Sequence, residues 1–334
     1  MHAINRRKND LLAYRPSVTM DVEELNQYWE NVLNSYAERP LDVKRQTVET
    51  PITTVRTERL TYKGGDDTPI HGLYIVPQQG LNGAKLPCVV IYQGYTGDKG
   101  LPERYAAWLL LGYAVFAVDA RGQGGETGNL LTSDEGFVKG WVSQGITNTE
   151  RSYYQAITMD AVRAVDTAAL QDEVDESRIA VVGASQGGGL SLLAAALNSK
   201  VSAVVADIPN MCHMDFGLMN STSSLTEIAQ YIKRYPERLN AVLSTLAHFD
   251  LLNLAERIKA PVLMSVGWKD TVCMPETIYA VYNRIRSLKQ LNDYPFSGHE
   301  VSEYQNRESI LFLQEALKNG LKPSIDAIEQ QDKN

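Results

Sequence analysis

The chain has 334 residues, of which 44% are hydrophobic and 22% charged, a composition typical of folded globular proteins that excludes predominant disorder. Its 40 acidic and 32 basic residues give a net charge of −8, which argues against a nucleic-acid partner, because phosphate binding requires a basic face. Three widely spaced cysteines without a CxxC pair indicate reduced thiols rather than disulfides.

The first 85 residues are predicted to form an extension. Their polar start, MHAINRRKND, lacks the apolar segment of a signal peptide, and no apolar stretch of the chain suits a membrane span, so a cytoplasmic protein is expected. A helix is predicted over 21–38, with Asp21 as its N-cap. Alternating segments at 55–62 and 70–76 flank a glycine-rich turn, which predicts an antiparallel hairpin.

From residue 86 onward, strand and helix patterns alternate. Apolar runs typical of strands buried on both faces occur at 87–92, 113–118, 179–182, 201–206 and 261–266. Helical segments at 102–111, 150–171 and 188–199 separate them. This alternation predicts an α/β fold with a mostly parallel central sheet, and places the early hairpin at its antiparallel edge.

The chain is interpreted as a single domain with three parts. Residues 1–85 form the N-terminal extension and edge hairpin, 86–320 the core, and 321–334 a C-terminal tail. A mostly helical insertion is predicted at about 210–256, between two strands of the core. Insertions of this length at the carboxyl end of a sheet usually shape a binding site.

Ser185 lies in the sharpest local motif of the chain. The sequence Gly-Ala-Ser-Gln-Gly at 183–187 follows an apolar strand and opens an apolar helix, which is the setting of a nucleophile elbow. There, the Gln186 backbone N–H is predicted to donate to an oxyanion, supported by the helix dipole. The alternative is a glycine-rich turn that only packs the helix on the strand.

A serine nucleophile needs a base, and the chain has five histidines. The chain order of serine, acid and histidine in such folds excludes His2 and His71. His213 and His248 lie inside the insertion, whereas His299 lies between the last strand and the final helix. His299 is therefore the predicted base.

Two aspartates follow strands between the serine and the base. Asp270 is favoured as the acid, because the acid usually follows the strand two after the nucleophile. Asp207 is interpreted as an anchor for the start of the insertion. The Tyr95 backbone N–H, in the loop after the strand at 87–92, is predicted as a second oxyanion donor; the alternative is a glycine turn with a packed aromatic ring.

Motifs for bound cofactors are missing from the sequence. The glycine-rich run at 119–128 is not followed by a GxGxxG helix, and no Walker A motif occurs. No histidine and cysteine cluster has the spacing of a zinc site. We therefore expect neither a metal nor a cofactor.

Three segments together resemble the signatures of a known family. Arg-Gly-Gln at 121–123, Gly-Ala-Ser-Gln-Gly at 183–187 and His-Glu at 299–300 are similar to those of the acetyl xylan esterase / cephalosporin C deacetylase family, carbohydrate esterase family 7. The similarity covers nearly the whole chain. It implies an α/β-hydrolase fold with an N-terminal extension and a helical insertion.

The resemblance also implies a site and a reaction. The triad would be Ser185, Asp270 and His299, and the oxyanion donors would be the amides of Tyr95 and Gln186. The family removes acetyl groups from short acetylated xylo-oligosaccharides and from cephalosporin C, without metal or cofactor. Its members are cytoplasmic hexamers, described as dimers of trimers.

Several further residues receive supporting roles. Tyr95 and Pro209 are predicted walls of a small acyl pocket, and Arg121, Gln123 and Glu300 are predicted to support the active-site loops.

The sequence departs from the family pattern at two places. Gln144 stands where the family usually has arginine, which puts an interface or entrance contact in doubt. Met274 replaces a proline just after Cys273, whose own role is open. Neither change affects the predicted triad.

A serine esterase is the favoured interpretation, and two alternatives remain. A prolyl oligopeptidase-type peptidase shares the triad order, but only about 85 residues precede the first core strand, which leaves little room for a gating domain. A non-enzymatic interaction protein on a hydrolase fold usually lacks a triad member, and all three candidates are present here.

Overall fold

A nine-stranded sheet forms the centre of the computed structural model, which describes residues 2–136 and 138–318. The strands are β1 (Lys44–Thr47), β2 (Val55–Lys63), β3 (Pro69–Pro77), β4 (Leu86–Tyr92), β5 (Ala114–Val118), β6 (Val174–Ala184), β7 (Val201–Asp207), β8 (Val262–Gly267) and β9 (Lys289–Tyr294). The predicted tail at 321–334 and the end of the predicted core at 319–320 lie outside the described residues.

The order of the strands is β1-β2-β3-β5-β4-β6-β7-β8-β9. Strands β4 to β9 run parallel, whereas β1, β2 and β3 pair antiparallel with one another and β3 pairs antiparallel with β5. Every residue of β5 and β8 is buried, since helices cover both faces of the sheet. The predicted parallel sheet with an antiparallel edge is confirmed.

Twelve α-helices surround the sheet in the described part of the chain. They are α1 (Ala3–Ala13), α2 (Val22–Ala37), α3 (Gln78–Leu81), α4 (Ala106–Leu110), α5 (Tyr153–Ala169), α6 (Gln186–Leu197), α7 (Met214–Asn220), α8 (Leu225–Arg234), α9 (Leu239–Ala247), α10 (Leu251–Leu254), α11 (Pro275–Tyr282) and α12 (Glu303–Ala316). None of these helices combines the length and the apolar character needed to cross a membrane.

The N-terminal extension packs on the core. Asp21 caps α2 as predicted, and Trp29 of that helix is fully buried, with its indole N–H donating to the carbonyl of His248 at 3.1 Å. Helix α1 was not predicted, because its sequence is polar. Its end is held by the Asn283 side-chain amide, which donates to the carbonyl of Leu11 at 3.0 Å.

The insertion between β7 and β8 consists of α7, α8, α9 and α10, as the sequence predicted. Its start is anchored by Asp250, whose carboxylate accepts hydrogen bonds from the amides of His213 at 2.8 Å and Met214 at 2.6 Å. The interpretation of Asp207 as this anchor is wrong. Its carboxylate instead accepts hydrogen bonds from Ser265 of β8 and Gln305 of α12, neither of which belongs to the insertion.

Candidate active site

Ser185 occupies the sharp turn between β6 and α6. Its φ of 58° and ψ of −120° lie in a region that non-glycine residues rarely adopt, at a cost of about 1–3 kcal/mol. A Cβ on Gly183 would lie 2.3 Å from the backbone of Gly187, and one on Gly187 would lie 2.1 Å from the carbonyl oxygen of Tyr92. Glycine is therefore required at both positions, and the strained turn presents the serine hydroxyl at the start of α6.

The three predicted triad residues meet in one hydrogen-bonded series. The Ser185 hydroxyl lies 2.9 Å from Nε2 of His299, and Nδ1 of His299 lies 2.7 Å from Oδ2 of Asp270. The other carboxylate oxygen of Asp270 accepts from the amides of Val272 at 2.7 Å and Cys273 at 2.9 Å. The Asp270 side chain is fully buried and that of His299 is 28% exposed, so the base is open to substrate while the acid is shielded.

The two histidines of the insertion are engaged elsewhere. Nδ1 of His213 lies 3.4 Å from the hydroxyl of Tyr14 in the N-terminal extension. Nδ1 of His248 lies 2.8 Å from the carbonyl oxygen of Ser244, within its own helix turn. The choice of His299 by chain order therefore agrees with the geometry.

The rejected acid, Asp207, is buried beneath the elbow. Its Oδ1 accepts from the hydroxyl of Ser265 and from Nε2 of Gln305, both at 2.7 Å. Burial raises the pKa of Asp207 to about 6, although these two hydrogen bonds oppose the rise. Its carboxylate thus joins β7 to β8 and α12, whereas His299 is hydrogen-bonded to Asp270.

This raised pKa predicts a pH-dependent stability. A carboxyl whose pKa is about 6 when folded and 3.8 when unfolded favours folding below about pH 4, and this contribution of about 3 kcal/mol is lost as the pH rises through 6. Asparagine keeps the acceptor oxygen without the charge. We expect Asp207→Asn to raise the urea unfolding free energy by up to about 3 kcal/mol at pH 8 and to leave it nearly unchanged at pH 4. Equal effects at both pH values would contradict this expectation.

The two predicted oxyanion donors lie in the loop after β4 and at the start of α6. Tyr95 follows β4, Gln186 begins α6, and neither backbone amide makes a hydrogen bond within residues 2–136 and 138–318. Gln123 bridges these two segments: its Oε1 accepts from the Thr96 amide at 2.7 Å and its Nε2 donates to the Gln186 side chain at 2.9 Å. The supporting position predicted for Gln123 thus agrees with its contacts.

Arg121 belongs to the loop after β5 and fixes that loop through its buried ion pairs. Its fully buried guanidinium pairs with both carboxylate oxygens of Asp160, at 2.6 and 2.7 Å, and with Asp66 at 2.7 Å. Its carbonyl accepts from the hydroxyl of Tyr153 at 2.6 Å, and the same hydroxyl accepts from Gln123 at 2.9 Å. Arg121 therefore reaches the site only through other residues.

The remaining predicted residues have different surroundings. Pro209 is buried against the first turn of α6, and its predicted place in an acyl pocket stays a prediction. Glu300 is exposed, and its side chain makes no hydrogen bond to any described residue. Gln144 is buried, accepts from Asn129 at 2.9 Å and donates to the carbonyl of Leu131 at 2.8 Å, so it holds an internal loop.

The cysteines and possible metal ligands offer no further chemistry. Cys88, Cys212 and Cys273 are buried free thiols, and burial raises the pKa of each, which keeps them protonated. The backbone of Cys273 supports the buried acid, as described above. Over the described ranges, no three His, Cys, Asp or Glu side chains lie close enough together to hold a metal ion.

Sequence reasoning missed Glu227. This residue of α8 accepts a hydrogen bond from the hydroxyl of Tyr95 at 2.6 Å, across 132 positions of the chain. The ring of Tyr95 also packs edge-on against Trp141, with 5.6 Å between the ring centroids. No local pattern marks either partner, because Trp141 and Glu227 are distant from Tyr95 in the sequence and meet it only in the folded chain.

The sequence pattern of the acetyl xylan esterase family matches residues 1–316, almost the whole chain. The chain belongs to the acetyl xylan esterase family. An acetyl xylan esterase from Paenibacillus sp. R4 is 34% identical, with a TM-score of 0.89 over 92% of this chain and 98% of that one. Acetyl xylan esterase 1 from Thermoanaerobacterium sp. JW/SL YS485 is 30% identical, with a TM-score of 0.86 over 92% and 98% of the two chains.

A curated relative of this chain is also named an esterase. An acetyl esterase of Xylanibacter ruminicola is 26% identical over 307 residues, which are 90% of this chain and 68% of that protein. More distant solved structures, such as an α/β-hydrolase from Penicillium at 17% identity and a TM-score of 0.55, share the fold alone. The implied α/β-hydrolase fold is confirmed, and the chain is a carboxylic ester hydrolase of that type.

Proposed function

We propose that this chain removes acetyl groups from small acetylated carbohydrates through an acyl-enzyme on Ser185. The observation that carries the proposal is the series of hydrogen bonds from Ser185 through His299 to the buried Asp270, at 2.9 and 2.7 Å. Membership of the acetyl xylan esterase family supports acetyl esters as the substrate class. The backbone amides of Tyr95 and Gln186, which make no hydrogen bond within the described residues, are the proposed oxyanion donors.

The first half of the reaction forms the acyl-enzyme. His299 takes the proton of the Ser185 hydroxyl while the serine oxygen attacks the acetyl carbonyl carbon. The carbonyl oxygen becomes an oxyanion, to which the amides of Tyr95 and Gln186 donate. Asp270 holds the imidazole in the correct tautomer and stabilises its charged form.

The second half releases acetate. The imidazolium of His299 protonates the sugar oxygen as the carbon–oxygen bond of the ester breaks, and the deacetylated sugar leaves. Water then loses a proton to His299 and attacks the acyl carbon of Ser185, and the same two amides stabilise the second oxyanion. No step requires a metal or a cofactor.

Acetylated xylo-oligosaccharides are the proposed substrates, with cephalosporin C-like esters as a second class. Two solved relatives are named acetyl xylan esterases, which supports the first class. The net charge of −8 suits neutral sugars, since they need no basic surface for electrostatic steering. A half-buried Tyr95 and a buried Pro209 are proposed to limit the acyl group to acetyl.

The acyl-chain preference tests this proposal. We expect kcat/KM for 4-nitrophenyl acetate to exceed that for the butyrate by at least about 10-fold, because two additional methylenes do not fit a pocket built for acetyl. An acetate-release assay with acetylated xylo-oligosaccharides, mono-acetylated sugars and cephalosporin C then ranks the substrates.

Two other outcomes would favour the alternative functions. Faster cleavage of a proline or aminoacyl amide than of acetate esters would indicate a prolyl oligopeptidase-type peptidase. Failure of a fluorophosphonate probe to label Ser185 would indicate a hydrolase-fold protein without catalysis. Both assays use the full chain under the conditions of the ester assay.

A further inference from the structure

A carboxylate of the insertion contacts the loop that carries Tyr95. Glu227, in the first turn of α8, accepts a hydrogen bond from the Tyr95 hydroxyl at 2.6 Å. The Tyr95 ring meets the Trp141 ring edge-on, at an interplanar angle of 80°. The side chain of Tyr95 is therefore held from two sides, by the insertion and by the segment that precedes α5.

The segment around Gly140 leaves room for the Glu227 carboxylate. Gly140 has a φ of 68°, and a Cβ on it would lie only 1.8 Å from Oε2 of Glu227. Burial raises the pKa of Glu227, although the hydrogen bond from Tyr95 opposes the rise. The carboxylate thus sits at a packed junction of three segments rather than on an open surface.

The backbone around Tyr95 shows why a side-chain contact matters there. The preceding Gly94 has no side chain to pack, and a Cβ on it would meet only one atom within 4 Å, at 3.6 Å. The following Thr96 has a φ of 67°, and its amide is held by Gln123 at 2.7 Å. The carbonyl of Gly94, in the same peptide unit as the Tyr95 N–H, accepts from the Gly97 amide at 2.9 Å. This N–H therefore belongs to a hydrogen-bonded turn, and the Tyr95 hydroxyl is the contact of that turn with the insertion.

We propose that Glu227 is a positioning residue for ester hydrolysis. By holding the Tyr95 hydroxyl, it anchors the turn that carries the Tyr95 peptide N–H and so keeps that N–H aligned with the oxyanion. The proposal rests on the proposed function, in which that amide stabilises the oxyanion. It assigns to the insertion a part in organising the oxyanion site.

Two single substitutions break the contact from opposite sides. Tyr95→Phe removes the hydroxyl but keeps the ring and the peptide N–H, and Glu227→Ala removes the acceptor. Each is expected to lower kcat for 4-nitrophenyl acetate about 10-fold while KM changes less than about twofold, because the lost alignment acts in the transition state.

The double variant and a conservative variant identify the cause. Tyr95→Phe with Glu227→Ala is expected to be no slower than either single variant, since both remove one and the same interaction. Glu227→Gln retains an acceptor oxygen and is expected to keep kcat within about threefold of the wild-type value. Additive losses in the double variant would overturn the proposal.

Glu135→Ala is a matched control. The carboxylate of Glu135 accepts from the hydroxyl of Tyr231 at 3.4 Å and pairs with Arg238. Tyr231 lies in α8, the helix that also carries Glu227, but Glu135 makes no contact with Tyr95. It is expected to keep the wild-type kcat even where its thermal midpoint falls as much as that of Glu227→Ala. An equal loss of kcat in both variants would show that general packing of the insertion is responsible, and would overturn the positioning role.

Ser185→Ala, measured in the same assay, distinguishes a failure of the positioning role of Glu227 from a failure of the proposed function. An inactive Ser185→Ala together with wild-type kcat in Tyr95→Phe and Glu227→Ala overturns the positioning role and leaves the proposed function standing. Full activity in Ser185→Ala overturns both, because no acyl-enzyme would then form on the serine.

Discussion

Replacing Ser185 by alanine is expected to lower kcat for 4-nitrophenyl acetate by at least about 10⁴-fold, because without the hydroxyl no acyl-enzyme forms. The remaining rate would come from the oxyanion donors and substrate binding alone. Stopped-flow measurement of 4-nitrophenol release tests this: the wild-type chain should show a burst that matches the enzyme concentration, and the variant none.

Ser191→Ala provides the matched control for this experiment. Ser191 is also a buried serine of α6, but its hydroxyl donates to the carbonyl of Gly187 at 2.9 Å and points into the helix. It should retain kcat within about threefold of the wild-type value. A fluorophosphonate should label the wild-type chain and Ser191→Ala but not Ser185→Ala. More than a tenth of the wild-type rate in Ser185→Ala would exclude the serine mechanism.

Replacing Asp270 by asparagine is the second large expected effect, a fall of about 10³–10⁴-fold in kcat. The carboxylate accepts from His299 at 2.7 Å and is fully shielded from water. An amide in its place neither stabilises the imidazolium nor enforces the tautomer that leaves Nε2 free for the serine proton. Steady-state rates of the variant and the wild-type chain, measured side by side at several pH values, record this loss.

Asp207→Asn is the control for this second experiment, because Asp207 was the other candidate for the acid. Its carboxylate contacts Ser265 and Gln305, not His299, so kcat should stay within about threefold of the wild-type value. Both variants replace one carboxylate oxygen by an amide nitrogen, and the two aspartates lie at the carboxyl ends of the neighbouring strands β7 and β8. The reverse pattern, with Asp207→Asn the slower variant, would reassign the acid.

Much of the fold was predictable because local sequence carries it. Continuous apolar runs marked five parallel strands, since helices cover both faces of the sheet and leave no alternating pattern. The hairpin and α2 followed from turn residues and a capping aspartate. Helix α1 was missed because its polar sequence gives little periodic signal, and its contacts, such as the ion pair of Arg7 with Glu276 of α11, join segments more than 260 positions apart.

The residues of the candidate active site were likewise predictable only where a local feature of the sequence marked them. Ser185 was recognisable because the elbow needs glycines at 183 and 187, a requirement that lies within five residues. His299 followed from chain order among only five histidines. The choice between Asp207 and Asp270 rested on a usual order rather than on any local feature, and the correct role of Asp207 was missed because its partners lie 58 and 98 positions away.

The sequence by itself determined the hairpin, five parallel strands, the elbow and the family signatures, because periodicity and glycine sterics act between neighbours in the chain. Only the tertiary structure decided which carboxylate meets His299 and that Glu227 holds Tyr95, because hydrogen bonds depend on distances that folding sets between remote segments. The net charge is independent of both, since it reports the sum of the side chains and not their arrangement.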